Sequence, residues 1–301
     1  MNIINIEEKI LKTKPNLAVK SLKSYVGNVK KIVEHSGEDN LNIFNNVEKV
    51  LEYINTKKSY LTKRNYLNSV IVLLQADKDE NQHLINDYVI IRDEYNERYK
   101  MEQATGVKTD KQIKNWITIS QIYEIIKDLE QNLNEEQNMI WHFMLNFWLN
   151  YPIRNDLQYT EIITKRKYNG LLNTELKKKN YFVIDDRPFL SISQYKTCKK
   201  YGVKKIYINN NMKKILLKYL AVNPTKYILY NKDKSPMSSQ DITANFQSLF
   251  HKYYPKKNIS TNMLRHIITT EKFGKTIDEM TKLANIMGHD LGTQQKIYIK
   301  K

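Results

Sequence analysis

Four stripes of apolar residues at helical spacing run through the first hundred residues and confine that part of the chain to a helical bundle. Leu22, Tyr25, Val29, Ile32 and Val33 fall on one face of a helix. Val47, Val50, Leu51 and Ile54 repeat the pattern, as do Leu67, Val70, Ile71 and Leu74, and then Leu84, Tyr88, Ile91 and Tyr95. Recurrence at i, i+3, i+4 and i+7 marks an amphipathic helix. The outer faces of these four short helices carry Lys20, Lys23, Lys30, Lys31, Lys57, Lys58, Lys63 and Arg64. From Glu102 to Asn115 no apolar stripe is visible, and Gly106 sits among polar residues and lysines. The expected organisation is a helical domain at 1–101, a linker at 102–115 and a second domain at 116–301.

The second domain has a mixed pattern. Thr118 or Ser120 suits the cap of a helix containing Ile122, Ile125, Ile126 and Leu129. A long helix from about Glu135 to Leu149 must stop before Pro152, which cannot continue it. Tyr181–Ile184, Phe189–Ile192 and Ile206–Ile208 read as strands, the first two joined by an Asp185-Asp186-Arg187-Pro188 turn. A basic hairpin loop, Tyr195 to Gly202, separates the last two. Helices return at about Met212–Leu220, Asp241–Phe250 and near Asn262. Thr276-Ile277-Asp278-Glu279 fits a capping box for a final helix that stops at Gly288. The expected fold class is mainly α with a small antiparallel β-sheet.

Charge narrows the partner. The 301 residues hold 49 Lys+Arg against 32 Asp+Glu, a formal net charge of +17. A surplus of that size on a folded chain points to a polyanion, nucleic acid ahead of acidic lipid. No stretch reaches the ~20 apolar residues of a membrane span. The N-terminus lacks the layout of a signal peptide, so an intracellular protein is expected. A single cysteine, Cys198, excludes an intrachain disulfide and a cysteine-based zinc cluster. His35, His83, His142 and His251 have no partners at metal-ligand spacing. Asp185 and Asp186 are better explained by their turn. The wealth of Lys, Asn, Ile and Tyr suggests an AT-rich genome, such as that of a virus or mobile element.

The chemistry is concentrated in a few residues. Arg154 follows the helix end at Tyr151-Pro152, and Arg265 opens a later helix. His289 comes just past the helix stop, and Tyr298 nine residues later. Lys196 stands on the hairpin loop beside Lys199 and Lys200. Two arginines suit a phosphodiester, because the guanidinium fork binds phosphate oxygens bidentately and stays charged. A phenol can attack phosphorus when activated, and the departing oxygen then needs a proton donor such as lysine or histidine.

Asn262-Met263-Leu264-Arg265-His266, then Met287-Gly288-His289, then Tyr298 resembles the second motif block of the tyrosine recombinases, the phage-integrase family. Arg154-Asn155-Asp156-Leu157 resembles the family's first block, and Lys196-Thr197 its β-hairpin lysine. The resemblance covers about 116–298 in detail and the N-terminal bundle in general character, as a DNA-clamping core-binding domain. It implies an enzyme that cuts and rejoins double-stranded DNA through a 3′-phosphotyrosyl link, as a homo-oligomer, a tetramer on DNA, with no metal or other cofactor. By position, Arg154 and Arg265 clamp the phosphate, Lys196 protonates the 5′ oxygen, His289 assists, and Tyr298 attacks.

Two features depart from the pattern. Asn262 stands where the family has a histidine; an amide donates a hydrogen bond but does not act as an acid or base near neutral pH. Three residues follow Tyr298, too few for the C-terminal segment that docks many members on a neighbouring subunit, so that mode of assembly is not expected. Asp156 reads as a group orienting Arg154 or the following helix, and His266 as a packed residue. Two other readings stay open on sequence alone: a type IB topoisomerase-like enzyme, and a DNA-binding protein of the same fold with impaired catalysis.

Overall fold

The computed structural model describes residues 3–38, 40–293 and 295. It divides into two compact units, Met1–Val107 and Lys108–Lys301.

The first unit is helical: α1 (Ile3–Thr13), α2 (Val19–Ser36), α3 (Val47–Asn55), α4 (Tyr60–Leu74) and α5 (Lys78–Ala104). The four apolar stripes fall on α2 to α5, and Val29, Val50, Ile54, Leu67, Val70 and Tyr88 are buried together. Two features differ from the sequence expectation. Helix α1 adds Ile6 and Ile10 to the core, and α5 is a 27-residue helix. Its two outer turns carry Glu94, Glu97, Arg98 and Lys100 in i,i+3 and i,i+4 ion pairs, which extend a helix without an apolar stripe. The Tyr88 hydroxyl, buried in the core, donates to the Phe44 carbonyl at 2.9 Å.

The second unit opens with α6 (Asp110–Asn115), α7 (Ile119–Glu130) and α8 (Glu136–Asn150). Helix α6 and the end of α5 occupy the interval that lacks a stripe; α6 forms because Thr109 and Gln112 make a reciprocal capping box. Thr118 and Gln121 cap α7 in the same way. There follow β1 (Glu161–Thr164), α9 (Lys165–Asn169), α10 (Asn173–Leu176), β2 (Tyr181–Ile184), β3 (Phe189–Ile192), α11 (Cys198–Tyr201) and β4 (Lys204–Tyr207). The last elements are α12 (Asn210–Val222), α13 (Ser239–Tyr253), α14 (Thr261–Ile286) and α15 (Leu291–Thr293).

The sheet corrects the expectation of a purely antiparallel one. Its order is β1-β2-β3-β4, with β1 parallel to β2 and the other pairs antiparallel. Strand β1 has four residues and only Ile162 and Ile163 to mark it, so no alternation could announce it. Side-chain alternation gives the sheet two buried faces. Phe182, Leu190 and Ile192 join the large helical core with Phe143, Phe147 and Trp148. Tyr181, Val183 and Phe189 pack with Tyr168 of α9 in a smaller cluster. Burying one such large apolar side chain contributes roughly 1.5–3 kcal/mol.

Helix α14 is a second correction. It runs 26 residues without interruption, so the Thr276–Glu279 signature lies inside a helix. A Thr-x-x-Glu pattern is compatible with a helix interior, and Gly274 does not break the helix. The expected stop at Gly288 does occur. Gly288 adopts φ +76°; its N–H donates to Asn285 O and that of His289 to Ala284 O, both at 3.1 Å. This pair of bonds is the Schellman arrangement, which needs the left-handed residue that glycine supplies. Among the described residues, no helix is long and apolar enough to cross a membrane.

Candidate active site

The site is built where α8 ends. Pro152 stops the helix and leaves carbonyls without helical partners. Side chains from elsewhere take them up. Lys272 Nζ donates to Leu149 O at 2.7 Å, Arg265 Nε to Pro152 O at 2.9 Å, and Trp148 Nε1 to Ile153 O at 3.0 Å. Asn180 Nδ2 donates to Asp156 O at 2.7 Å. Cations suit the C-terminal end of a helix, where the backbone dipole is negative. The adjacent Asn155 amide is anchored on Ser239 and Thr243 of α13. Arg154 emerges from this pinned turn with its side chain exposed.

Arg265 is brought to the same turn from the first turns of α14, which Ser260 caps through Met263 N–H. Its Nε is spent on Pro152 O, and Nη1 lies 3.4 Å from Asn262 Oδ1. Partial burial and then the nearby Arg154 charge push the Arg265 guanidinium below its ordinary range, while Asp156 opposes that shift. Asp156 is raised, chiefly because it is buried; Arg154, Arg265 and Lys204 act in the opposite direction. The charges of three cations therefore act on one half-buried carboxylate. Arginine stays protonated under such conditions, so the two guanidinia form a repelling pair that an anion would relieve.

Lys204 escaped the sequence reading because it sits within a strand. It pairs with Ile192 in the β3–β4 ladder, lies over the rings of Tyr195 (5.0 Å) and Tyr201 (5.3 Å), and its charge reaches Asp156. Lys196 is exposed on the loop between the same strands. That loop contains the single turn α11 and is closed by the Tyr195 hydroxyl, which donates to Gly202 O at 2.8 Å. Gly202 has φ +68° and ψ −164°, a conformation essentially restricted to glycine.

The structure thus brings together Arg154, Arg265, Asn262 and Asp156, with Lys204 and the Lys196 loop alongside. It does not bring His289 to them. From Arg265 to Ile286 the helix advances 21 residues (286 − 265), and at 1.5 Å per residue that is roughly 30 Å. The sequence spacing is a chain distance, and an unbroken helix turns it into a spatial one. His289 is half-buried at the Schellman turn, with Nδ1 3.2 Å from Asp290 O. Tyr298 lies outside the described residues. A cleft of about 660 Å³, lined by Gln137, Trp141, Tyr230, Met237 and Asn245 among others, contains none of the candidate residues. Among the described residues, no group of three or more His, Cys, Asp and Glu side chains is arranged to hold a metal ion.

The chain thus combines a helical unit with a unit in which helices pack on a small mixed sheet that has paired arginines beside it. Residues 174–301 match the sequence model described as Phage integrase family. That segment is therefore a phage-integrase (tyrosine recombinase) domain, the domain of enzymes that cleave and rejoin DNA at specific sites. The fold agrees. The Tn1549 transposon integrase in complex with transposon right end DNA superposes with a TM-score of 0.56 at 13% identity, over 100% of this chain and 96% of that one. The same integrase in complex with circular intermediate DNA gives 0.56 at 14% identity, over 100% and 96%. No curated protein matches the chain in sequence.

Proposed function

We propose that this recombinase holds the scissile phosphate between Arg154 and Arg265 and attacks it with Tyr298. The phenolic oxygen bonds to phosphorus as the bond to the 5′ oxygen breaks, leaving a 3′-phosphotyrosyl link. The departing 5′ oxygen takes a proton from the Lys196 ammonium. Asn262 donates a hydrogen bond to a phosphate oxygen, and His289 assists the phosphate or the proton transfers. The link conserves the bond, so the 5′ hydroxyl of another strand reverses the step. The observation that carries this reading is the Arg265–Pro152 bond, which ties the second arginine to the turn bearing the first. Fixed donors aimed at developing charge are a principal source of rate.

Double-stranded DNA is the partner. The net charge of +17 supports this, as do the cations laid over rings in the helical unit: Lys57 on Tyr53 (3.7 Å), Lys63 on Tyr95 (5.2 Å) and Arg64 on Tyr99 (5.5 Å). Such contacts order a cation's stem and leave its charge available to phosphates. The DNA complexes of the Tn1549 integrase point the same way. Strand exchange calls for a homo-oligomer, a tetramer on two duplexes. The roughly 30 Å of helix between Arg265 and the turn that bears His289 calls for α14 to break on DNA. Gly274 and the Thr276–Glu279 capping signature mark the place, since a glycine and a ready N-cap lower the cost of a new helix start.

The test is covalent capture. Full-length protein is mixed with a random-sequence pool of nicked duplexes and run on a denaturing gel. Wild type is expected to retain DNA covalently, and Tyr298→Phe to bind DNA without retaining any. An adduct that survives in the Phe variant would sink the assignment of the nucleophile. Normal binding with no wild-type adduct would favour a DNA-binding protein of impaired catalysis.

A further inference from the structure

We infer that Asn180 is a positioning residue that holds the Lys196 loop in register with the arginine turn; this rests on Lys196 being the acid for the leaving oxygen. Asn180 precedes β2 and is 2% exposed. Its Nδ2 donates to Asp156 O at 2.7 Å and to Gln194 O at 3.4 Å. Its Oδ1 accepts from Ser193 N at 2.8 Å and Gln194 N at 2.7 Å. Asp156 stands two residues after Arg154, and Gln194 two residues before Lys196. One amide thus joins the two segments and uses both donors and both acceptor positions.

The geometry assigns this task to an amide in particular. Asp156 O needs a donor, and the two N–H groups at 193 and 194 need an acceptor. Aspartate would set a carboxylate against the Asp156 carbonyl, and alanine would leave all four backbone groups without this partner. The loop beyond the base is internally tied. Tyr195 donates its hydroxyl hydrogen to Gly202 O, Gly202 N–H donates to Cys198 O at 2.8 Å, and Ile192 pairs with Lys204. A shift at residues 193–194 is therefore carried to Lys196. Ser193 supports the same base by donating from Oγ to Lys179 O at 2.6 Å. Proton donation needs heavy atoms about 2.6–3.2 Å apart, and a displacement of ~1 Å can cost about 100-fold.

Sulfur in place of the bridging 5′ oxygen separates this role from general support. A thiolate is a far better leaving group than an alkoxide and departs without a proton donor. Nicked duplexes recovered by covalent capture with wild type would be made in both forms and cleaved by full-length variants. On oxygen DNA, Lys196→Ala is expected to slow cleavage about 10²- to 10⁴-fold, and Asn180→Ala about 10- to 100-fold. On sulfur DNA both are expected within about 10-fold of wild type, the Lys196 limit for an acid no longer required. DNA affinity should be unchanged for Asn180→Ala. If Lys196→Ala is rescued by sulfur and Asn180→Ala is equally slow on both substrates, or is not slow on oxygen DNA, the inference is overturned while the reading of Lys196 stands. If sulfur fails to rescue Lys196→Ala, the reading of Lys196 falls and takes the inference with it. Should Asn180→Ala not fold, Asn180→Ser and Ser193→Ala loosen the same base more gently and should show the same oxygen-specific loss, smaller in size; equal losses on both substrates would again overturn it.

Discussion

Around Arg154 the backbone is held by side chains from three directions, whereas the C-terminal half of α14 presents Phe273, Ile277, Leu283 and Ile286 to solvent. The first region has its carbonyls at 149, 152, 153 and 156 taken up by Lys272, Arg265, Trp148 and Asn180. The second carries apolar side chains with little packed against them; Ile286 is 82% exposed. The contrast separates the parts of the proposed reaction. The phosphate grip is assembled in advance, where preorganisation lowers the cost of stabilising charge. In the proposed reaction the segment that leads to His289 is the part that moves.

Substitutions at three positions bear on this contrast. The largest effect is expected from Arg265→Ala, which removes both the proposed phosphate ligand and the bond to Pro152 O. Single-turnover adduct formation should fall on the order of 10²–10³-fold. Arg265→Lys should recover little of it, because an ammonium cannot hold Pro152 O and a phosphate with the geometry of a guanidinium fork. Near-wild-type rates for the lysine variant would mean that the grip is not preassembled.

Gly274→Ala probes the other side. A Cβ at Gly274 meets Thr270 Cγ2 at 3.5 Å, an ordinary contact, so the continuous helix accommodates it. Alanine favours a helix interior over glycine by ~1 kcal/mol, about a 5-fold bias. Hydrogen exchange across 270–280 should slow and covalent capture should fall by about that factor. Faster capture would show that the unbroken helix is the productive form.

The smallest effect concerns Asp156. Its folded-state pKa is raised by burial. The ionised form is therefore disfavoured in the folded protein, and the associated stability is present at low pH and lost as pH rises through the raised pKa. Asp156→Asn should melt slightly higher than wild type at pH 7. The two melting curves should converge as pH falls from above the raised pKa to below the ordinary value of 3.8. A variant that melts lower at pH 7 would show that the carboxylate's attraction to Arg154, Arg265 and Lys204 outweighs its burial.

Much of this was legible in the chain. The stripes on α2 to α5, the Thr118 cap, the Pro152 stop and the Gly288 turn all express themselves within a few residues. The arginines and Lys196 stood out through a motif; Tyr298, which the same motif names, lies outside the described residues. Strand β1 was not, because four residues have no period to show and their pairing partner lies in β2. Lys204 was hidden among the chain's many lysines. Asn180 was invisible because its importance lies in carbonyls and N–H groups 13 to 24 residues away.

By itself, the sequence determined where helices start and stop and which side chains are available for chemistry, since capping and periodic burial act over one or two turns. The tertiary structure decided which of those side chains meet. Arg265 reaches Arg154's turn because Pro152 leaves a carbonyl unpaired, and Asn180 joins the turn to the hairpin because buried backbone groups must find partners. An unbroken α14 holds His289 away because a helix converts each residue of spacing into a fixed rise.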